Sequence, residues 1–419
     1  MNDMLPEGWE VDTLINLSIN GINNGVFNDP KKVGKGYKLI NVIEMYKRFG
    51  IDINTLKLLD IDKKEFNKNK VEYGDVFFTR SSLKLEGIAY CNINLSHNND
   101  ITYDGHLMRI RPDKKRIYPK YIAYYCLSDF ARVCFMAHAK HSTMTTIGQA
   151  DIAPLKVIFP PLPEQKKIAS ILSSIDEVIE KTTAQVAKLK DLKTSLMQAL
   201  LTKGIGHSEF KDSPVGRIPV EWEVVELDNL GSFKNGLNKS KEDFGFGTKF
   251  INISDAYPST LDTLNLSRVH VNEKEIKQYK LEYGDIIFVR SSVKPSGVGY
   301  PTLFIKDKEP VVYSGFMIRF RTQSTSIDAK FLLFSFRGEL FRNELLKVST
   351  ISANTNINQV ELGKLKTVIP PLKEQKEIAK ILTSLDQKIT TTNQKLSALT
   401  HTKKALMQDL LTGKKRVTV

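Results

Sequence analysis

The chain has 419 residues, 41% of them hydrophobic, and a formal net charge of +14. That length carries two or more domains with ordinary cores, no apolar run approaches the roughly 18–20 residues of a membrane span, and the opening MNDMLPEGWE lacks the basic-then-apolar order of a secretory signal. Three cysteines (Cys91, Cys126, Cys134) make no disulfide framework, so a cytosolic chain with reduced thiols is expected, and the basic excess favours a polyanionic partner such as nucleic acid or an acidic membrane surface.

In chain order, the first element is PEGWEVDTLINL from Pro6. VEYGDVFFTRSSLKLEGIAY (71–90) then opens a β-branched and aromatic strand after Gly-Asp. HLMRIRP from His106 alternates apolar and basic residues, as a strand with one buried face does. PKYIAYYCLSDFARVCF (119–135) has helical spacing, and APLKVIFPP (153–161) reads as a last strand stopped by proline. A long helix follows. Its seam of alternating three- and four-residue steps runs through Ile168, Ile171, Ile175, Val178, Leu189, Leu192 and Leu196, with polar Thr182 and Gln185 in the same register midway, and Gly204 stands after its last turn.

The same elements then recur. LEYGDIIFVRSSVKPSGVGY (281–300) matches 71–90 at an offset of 210, with eleven of twenty positions identical. YSGFMIRFRT matches YDGHLMRIRP, PVEWEVVELDNL matches the opening element, and a second long helix repeats the seam at Ile378, Ile381, Leu385, Leu399 and Leu406 before Gly413. The chain is a tandem duplication. Each helix of about 40 residues would span roughly 60 Å at 1.5 Å per residue, too long for one domain of this size to cover and unstable alone. Antiparallel pairing of the two helices is therefore expected, with the two globular parts at opposite ends of the resulting rod. Residues 18–70 and 231–280 hardly align between repeats, nor do 116–144 and 325–354. A shared scaffold with unlike loops suits two different half-sites on one duplex.

Three motif pairs now stand out: P-x-x-W-E at Pro6 and Pro219, G-D-[VI]-[FI]-F-x-R-S-S at Gly74 and Gly284, and P-P-L-x-E-Q-K-x-I-A at Pro160 and Pro370. On these motifs the chain resembles the specificity subunits of type I restriction–modification systems, and the resemblance covers nearly the whole chain. The resemblance implies an α+β architecture: two pseudo-symmetric mixed α/β target recognition domains (1–159 and 206–369) separated by two long antiparallel α-helices (160–205 and 370–419) forming a coiled-coil spacer. It also implies a cytoplasmic, prokaryotic, non-catalytic chain that reads a bipartite double-stranded DNA target. Two modification (methyltransferase) subunits and the restriction (endonuclease/translocase) subunits would be its partners. S-adenosylmethionine, ATP and Mg would serve those partners, with no cofactor or metal on this chain.

The residues agree in lacking a Walker-type loop or an Asn/Asp-Pro-Pro-aromatic run. Glu164-Gln165-Lys166 and Glu374-Gln375-Lys376 fit half of a nuclease pattern, but at a helix start they read better as acids complementing the helix dipole. Cys126, Cys134, His138 and His141 have zinc-ligand types, yet their repeat counterparts do not, so the fold needs no metal there. A free-standing bivalent DNA-binding scaffold, or an enzyme with unfamiliar motifs, remains an alternative on the residues alone.

Candidate DNA contacts fall in three sets. Arg80, Ser81, Ser82 and Lys84, with Arg290, Ser291, Ser292 and Lys294, lie just past a strand and would hold phosphates. Arg109 and Arg111, with Arg319 and Arg321, alternate on a strand and would present paired guanidiniums. His138, Lys140, His141 and Thr143, with Asn354, Thr355 and Asn356, lie in diverged segments and carry donors and acceptors for base edges.

Overall fold

The computed structural model describes residues 5–141, 143–257, 261–351 and 354–418. The chain divides into two compact units, one formed by residues 1–185 with 392–419 and the other by 186–391. Both long helices therefore contribute to both units.

In the first unit, Glu10–Thr13 pairs antiparallel with Lys156–Phe159, closing the start of the globular part against its end. An antiparallel four-stranded sheet runs in the order Ser18–Asn24, Leu107–Pro112, Val76–Thr79, Cys91–Ile93. The two motif strands expected from the sequence are its centre, with Val76 opposite Ile110 and Phe78 opposite Met108. Val33–Ile40 forms a second sheet, antiparallel to Lys57–Leu59 and parallel to Ile101–Tyr103. The second unit repeats both sheets: Gly231–Asn235, Met317–Thr322, Ile286–Val289, Pro301–Leu303 in one, and Ser267–Val269, Phe244–Ile251, Val311–Tyr313 in the other. Residues 18–70 and 231–280, which barely align as sequence, thus fold alike.

The helical stretch after the sheet is two helices rather than one. Pro119–Leu127 and Asp129–Ala137 meet at Ser128, which leaves the helical region at ψ 153°. Its hydroxyl donates to Tyr125 O at 2.6 Å and accepts the Ala131 N–H at 3.4 Å. It thus caps the second helix, and Gly338 occupies the same break in the other unit.

The long helices are Leu162–Leu200 and Leu372–Leu411. Each packs in two places. The first unit's core takes Ile168, Ala169 and Leu172 from the start of one and Met407, Leu410 and Leu411 from the end of the other. The second unit's core takes Ile378, Ala379 and Leu382 with Leu201, and Leu196 and Met197 pack against it. The pairing is antiparallel within each unit. Lys403 Nζ meets Asp176 at 2.6 Å in the first, and Lys193 meets Asp386 in the second. The same lysines lie over the rings of Tyr124 and Phe334.

The seam holds in part and is rotated in part. Ile168, Ile378 and the polar seam positions Thr182 and Thr392 are buried, whereas Val178, Leu192 and Ile381 are exposed and Leu172, Val186 and Leu382 take the buried places beside them. A helix of 3.6 residues per turn drifts about 20° per heptad from a 3.5-residue repeat. The early turns must also face the globular core, which pulls the buried stripe one residue along.

Candidate nucleic-acid interface

The G-D-x-x-F-x-R-S-S motif builds the same frame twice. Leaving its strand, Arg80 donates its backbone N–H to His106 O at 2.9 Å and accepts from Ile147 N at 3.0 Å. Ser81–Ser82 continues as a short strand against Thr145–Thr146, which pairs in turn with Lys140–His141. In the second unit Arg290 bridges Phe316 O and Ile357 N, and Ser291–Ser292 pairs with Thr355–Asn356, itself paired to Thr350–Ile351. The Arg-Ser-Ser segment and the diverged segment are thus hydrogen-bonded neighbours, although some 60 residues separate them in sequence.

The turn after the first Ser-Ser is held by side-chain hydrogen bonds. Ser82 Oγ accepts the Lys84 N–H at 3.2 Å. Gly87 O accepts Thr79 Oγ1 at 2.6 Å and Tyr46 OH at 2.9 Å. A Cβ at Gly87 would stand 2.2 Å from Ser82 Oγ, and one at Gly297 2.3 Å from Ser292 Oγ, so a side chain at either position would push the serine hydroxyl aside. Tyr46 and Tyr90 flank the turn at 5.2 Å between ring centroids, as Tyr257 and Tyr300 do at 5.8 Å. In the second unit a concavity of ≈ 710 Å³ opens here, bordered by Ser291, Val293, Lys294, Tyr257, Phe316 and Asn354.

The candidate residues separate on this frame. Arg80, Lys84, Arg290 and Lys294 are exposed, and the four serines are half-buried. Lys140 and Thr143 are exposed. His138 is exposed too, with Nδ1 2.8 Å from Cys134 O. His141 lies in its strand, but its side chain falls outside the described residues. Asn354 is exposed, and Asn356 is half-buried and donates to Asn354 O at 2.9 Å. Thr355 is buried at 3% exposure, on the central strand of the small sheet.

The strand arginines do not present their guanidiniums outward. Arg109 and Arg319 are 6% and 8% exposed. Arg109 donates to Lys70 O at 2.8 Å and stacks 4.9 Å over the Tyr103 ring. Arg111 makes a bidentate pair with Asp75 at 2.8 and 2.9 Å, and Arg321 pairs with Asp285 at 2.7 and 2.7 Å. Those hydrogen bonds raise both arginine pKa values further. Asp75 and Asp285 are fully buried, so each needs such a partner. The Asp of Gly-Asp-[VI] therefore exists to hold the arginine of the neighbouring strand, and the expected surface pair is an internal one.

The Glu and Gln of the E-Q-K segments are also committed internally, while Lys166 and Lys376 are exposed. Gln165 is fully buried; it accepts the Tyr118 N–H at 2.6 Å and donates to Arg116 O and Pro160 O. Gln375 repeats this with Asp328 N, Ser326 O and Pro370 O. Glu374 accepts the Ile205 N–H and the Trp222 Nε1–H and contacts His207 Nε2 at 3.0 Å; Glu164 pairs with Arg416 at 2.7 Å. Cys126 is buried in the core, and among the described residues no group of three or more His, Cys, Asp or Glu is placed to hold a metal ion. No helix among them is long and apolar enough to cross a membrane.

Sequence reasoning passed over Leu83 and Val293 at the turn tips, and His106 with Phe316 beside them. Its available signal was a bulky apolar residue between Ser and Lys in both repeats.

Comparison with known proteins gives this frame a family. The model of the type I restriction modification DNA specificity domain matches twice, at residues 6–190 and 219–401. The chain belongs to that family. A protein of Methanocaldococcus jannaschii named as a candidate type I restriction enzyme MjaX specificity subunit is 29% identical over 99% of this chain and 95% of its own. The MjaVIII specificity subunit of the same organism is 31% identical over 63% of each chain. The type I specificity subunit from M. genitalium superposes with a TM-score of 0.60 at 16% identity, covering 96% of both chains. A chain from a type I R-M system structure superposes at 0.56 and 14%, covering 98% of this chain and 99% of that one. The specificity-family fold, mixed α/β units sharing two long paired helices, thus extends over the whole chain.

Proposed function

We propose that this chain is the DNA-reading subunit of a type I restriction–modification complex, in which each unit contacts one half of a bipartite duplex target. The observation that carries this reading is one frame furnished in two ways. The Arg-Ser-Ser turn with its exposed cations recurs in both units, while neighbouring positions differ, His106 against Phe316 and Lys140 against Thr350 at the repeat offset. Cations at a fixed turn hold phosphates and set position, and unlike neighbours supply different base readout. The net charge of +14 adds the long-range attraction a polyanion requires.

The helices set the spacing of the half-sites and dock the modification subunits, which bring S-adenosylmethionine. Restriction subunits bring ATP and Mg, and the chain itself is non-catalytic. The Glu-Gln pairs, its nearest approach to a nuclease motif, are used in structural hydrogen bonds.

The test is methylation by the chain with its modification subunits. Seven residues inserted into each helix add about 10 Å and lengthen the preferred spacer by roughly 3 base pairs at 3.4 Å each. An unchanged spacer would overturn the ruler, and methyl transfer by the purified chain alone would overturn the non-catalytic role.

A further inference from the structure

The turn after each Ser-Ser strand holds an aliphatic side chain out in solvent. Leu83 is 84% exposed and Val293 82%, at matching positions of S-S-L-K and S-S-V-K. Single exposed aliphatics are ordinary on protein surfaces, but this pair has three further properties. The turns that carry them are hydrogen-bonded: Ser82 Oγ and Gly87 O accept bonds within the first, and in both the glycine N–H donates to the lysine carbonyl, Gly87 to Lys84 O at 3.0 Å and Gly297 to Lys294 O at 2.9 Å. Exposed cations bracket each one, Arg80 with Lys84 and Arg290 with Lys294. Arg111, Arg321 and Arg268 are tied to carboxylates, whereas none of these four cations forms an ion pair among the described residues. Finally, Val293 borders the ≈ 710 Å³ concavity beside Tyr257, Phe316 and Asn354.

We propose that Leu83 and Val293 are specificity residues that seat against base edges in a duplex groove, while the flanking cations clamp the adjoining phosphates. The inference rests on the DNA-reading role given above. Cations without carboxylate partners favour a polyanion over a protein surface as the occupant. An aliphatic group offers nothing to a phosphate, but it makes apolar contact with bases, the thymine methyl above all. Each turn therefore combines a positioning element and a reading element. The change from Leu to Val, with His106 becoming Phe316 beside it, alters what the two units read.

The experiment uses the full chain with its modification subunit and a duplex bearing the target mapped from methylated sites, with an unrelated duplex as control. Affinities come from fluorescence anisotropy. Leu83→Ala and Val293→Ala each weaken target binding roughly 10-fold and change binding of the unrelated duplex less than about 2-fold. Lys84→Ala weakens both and lowers the salt-dependence slope by about one. Thermal melting of the alanine variants stays at the wild-type value, since neither side chain is packed. If wild type prefers its target and the alanine variants match it, the proposal is overturned while DNA reading stands. Loss of the modification subunit with DNA affinity retained overturns it in favour of a protein contact. If wild type shows no preference between the duplexes, the DNA-reading role falls too.

Discussion

At the scale of single residues, the repeated polar positions serve folding more than chemistry. Gln165 and Gln375 each satisfy one backbone N–H and two carbonyls where strand gives way to helix. Leaving such buried groups unpaired costs about 1–3 kcal/mol each. Gln165→Ala should destabilise the chain by roughly 3 kcal/mol, read as a lower denaturant midpoint with an unchanged slope. The buried tyrosines give a pH signature. Burial pushes Tyr103 and Tyr125 up to about 12, against about 10 when unfolded. The folded chain then holds more protons than the unfolded one between those values, so stability stays level up to about pH 10 and falls as pH rises towards 12. Denaturation midpoints measured across that range should decline, and Tyr103→Phe should soften the decline. None of these roles is written locally. The alternating basic residues of HLMRIRP showed a strand correctly, but Asp75, which turns Arg111 inward, lies 36 residues away.

At the scale of elements, strands and helices were legible where hydrophobic period and repetition coincide. The paired motif strands and both long helices belong to this class. The equivalence of 18–70 with 231–280 was hidden because few positions face the core. Val33–Ile40 buries only its last two residues, as does Phe244–Ile251, so the rest of each strand varies freely. Parts of the helix seam face one residue away from the sequence period, because besides helical drift and the globular core, cross-helix partners absent from any single helix's period help decide its facing. Asp176–Lys403 and Asp386–Lys193 are such partners, each group about four-fifths buried. Reversing one charge, as in Asp176→Lys, should destabilise the fold. Adding Lys403→Asp should restore much of the loss, with a coupling energy of about 1–3 kcal/mol in a double-mutant cycle.

At the scale of the whole molecule, the duplication is nearly cyclic. Beyond the second helix, Arg416 donates to Glu7 O at 2.8 Å and pairs with Glu164, and a Cβ on Gly413 would meet Pro6 Cγ at 2.5 Å. Beyond the first helix, a Cβ on Gly204 would meet Glu374 Oε1 at 2.4 Å and Trp222 at 2.8 Å. The two junctions are built alike, though only one is a covalent passage between repeats. A permutant joining residue 418 to residue 5 through a short linker and opened at Gly206 should fold and bind a modification subunit. Co-elution of the permutant with that subunit on size exclusion checks this.

Each globular unit takes the first turns of one long helix and the last turns of the other. One repeat on its own is therefore an unfinished object, with an apolar socket at its head and an apolar plug at its tail. Two identical copies should complete each other by exchanging those ends, giving a dimer of twofold symmetry. On the DNA-reading role proposed above, gene truncation at the junction would leave a chain that reads one half-site twice, as an inverted repeat, without a single change inside the head it keeps.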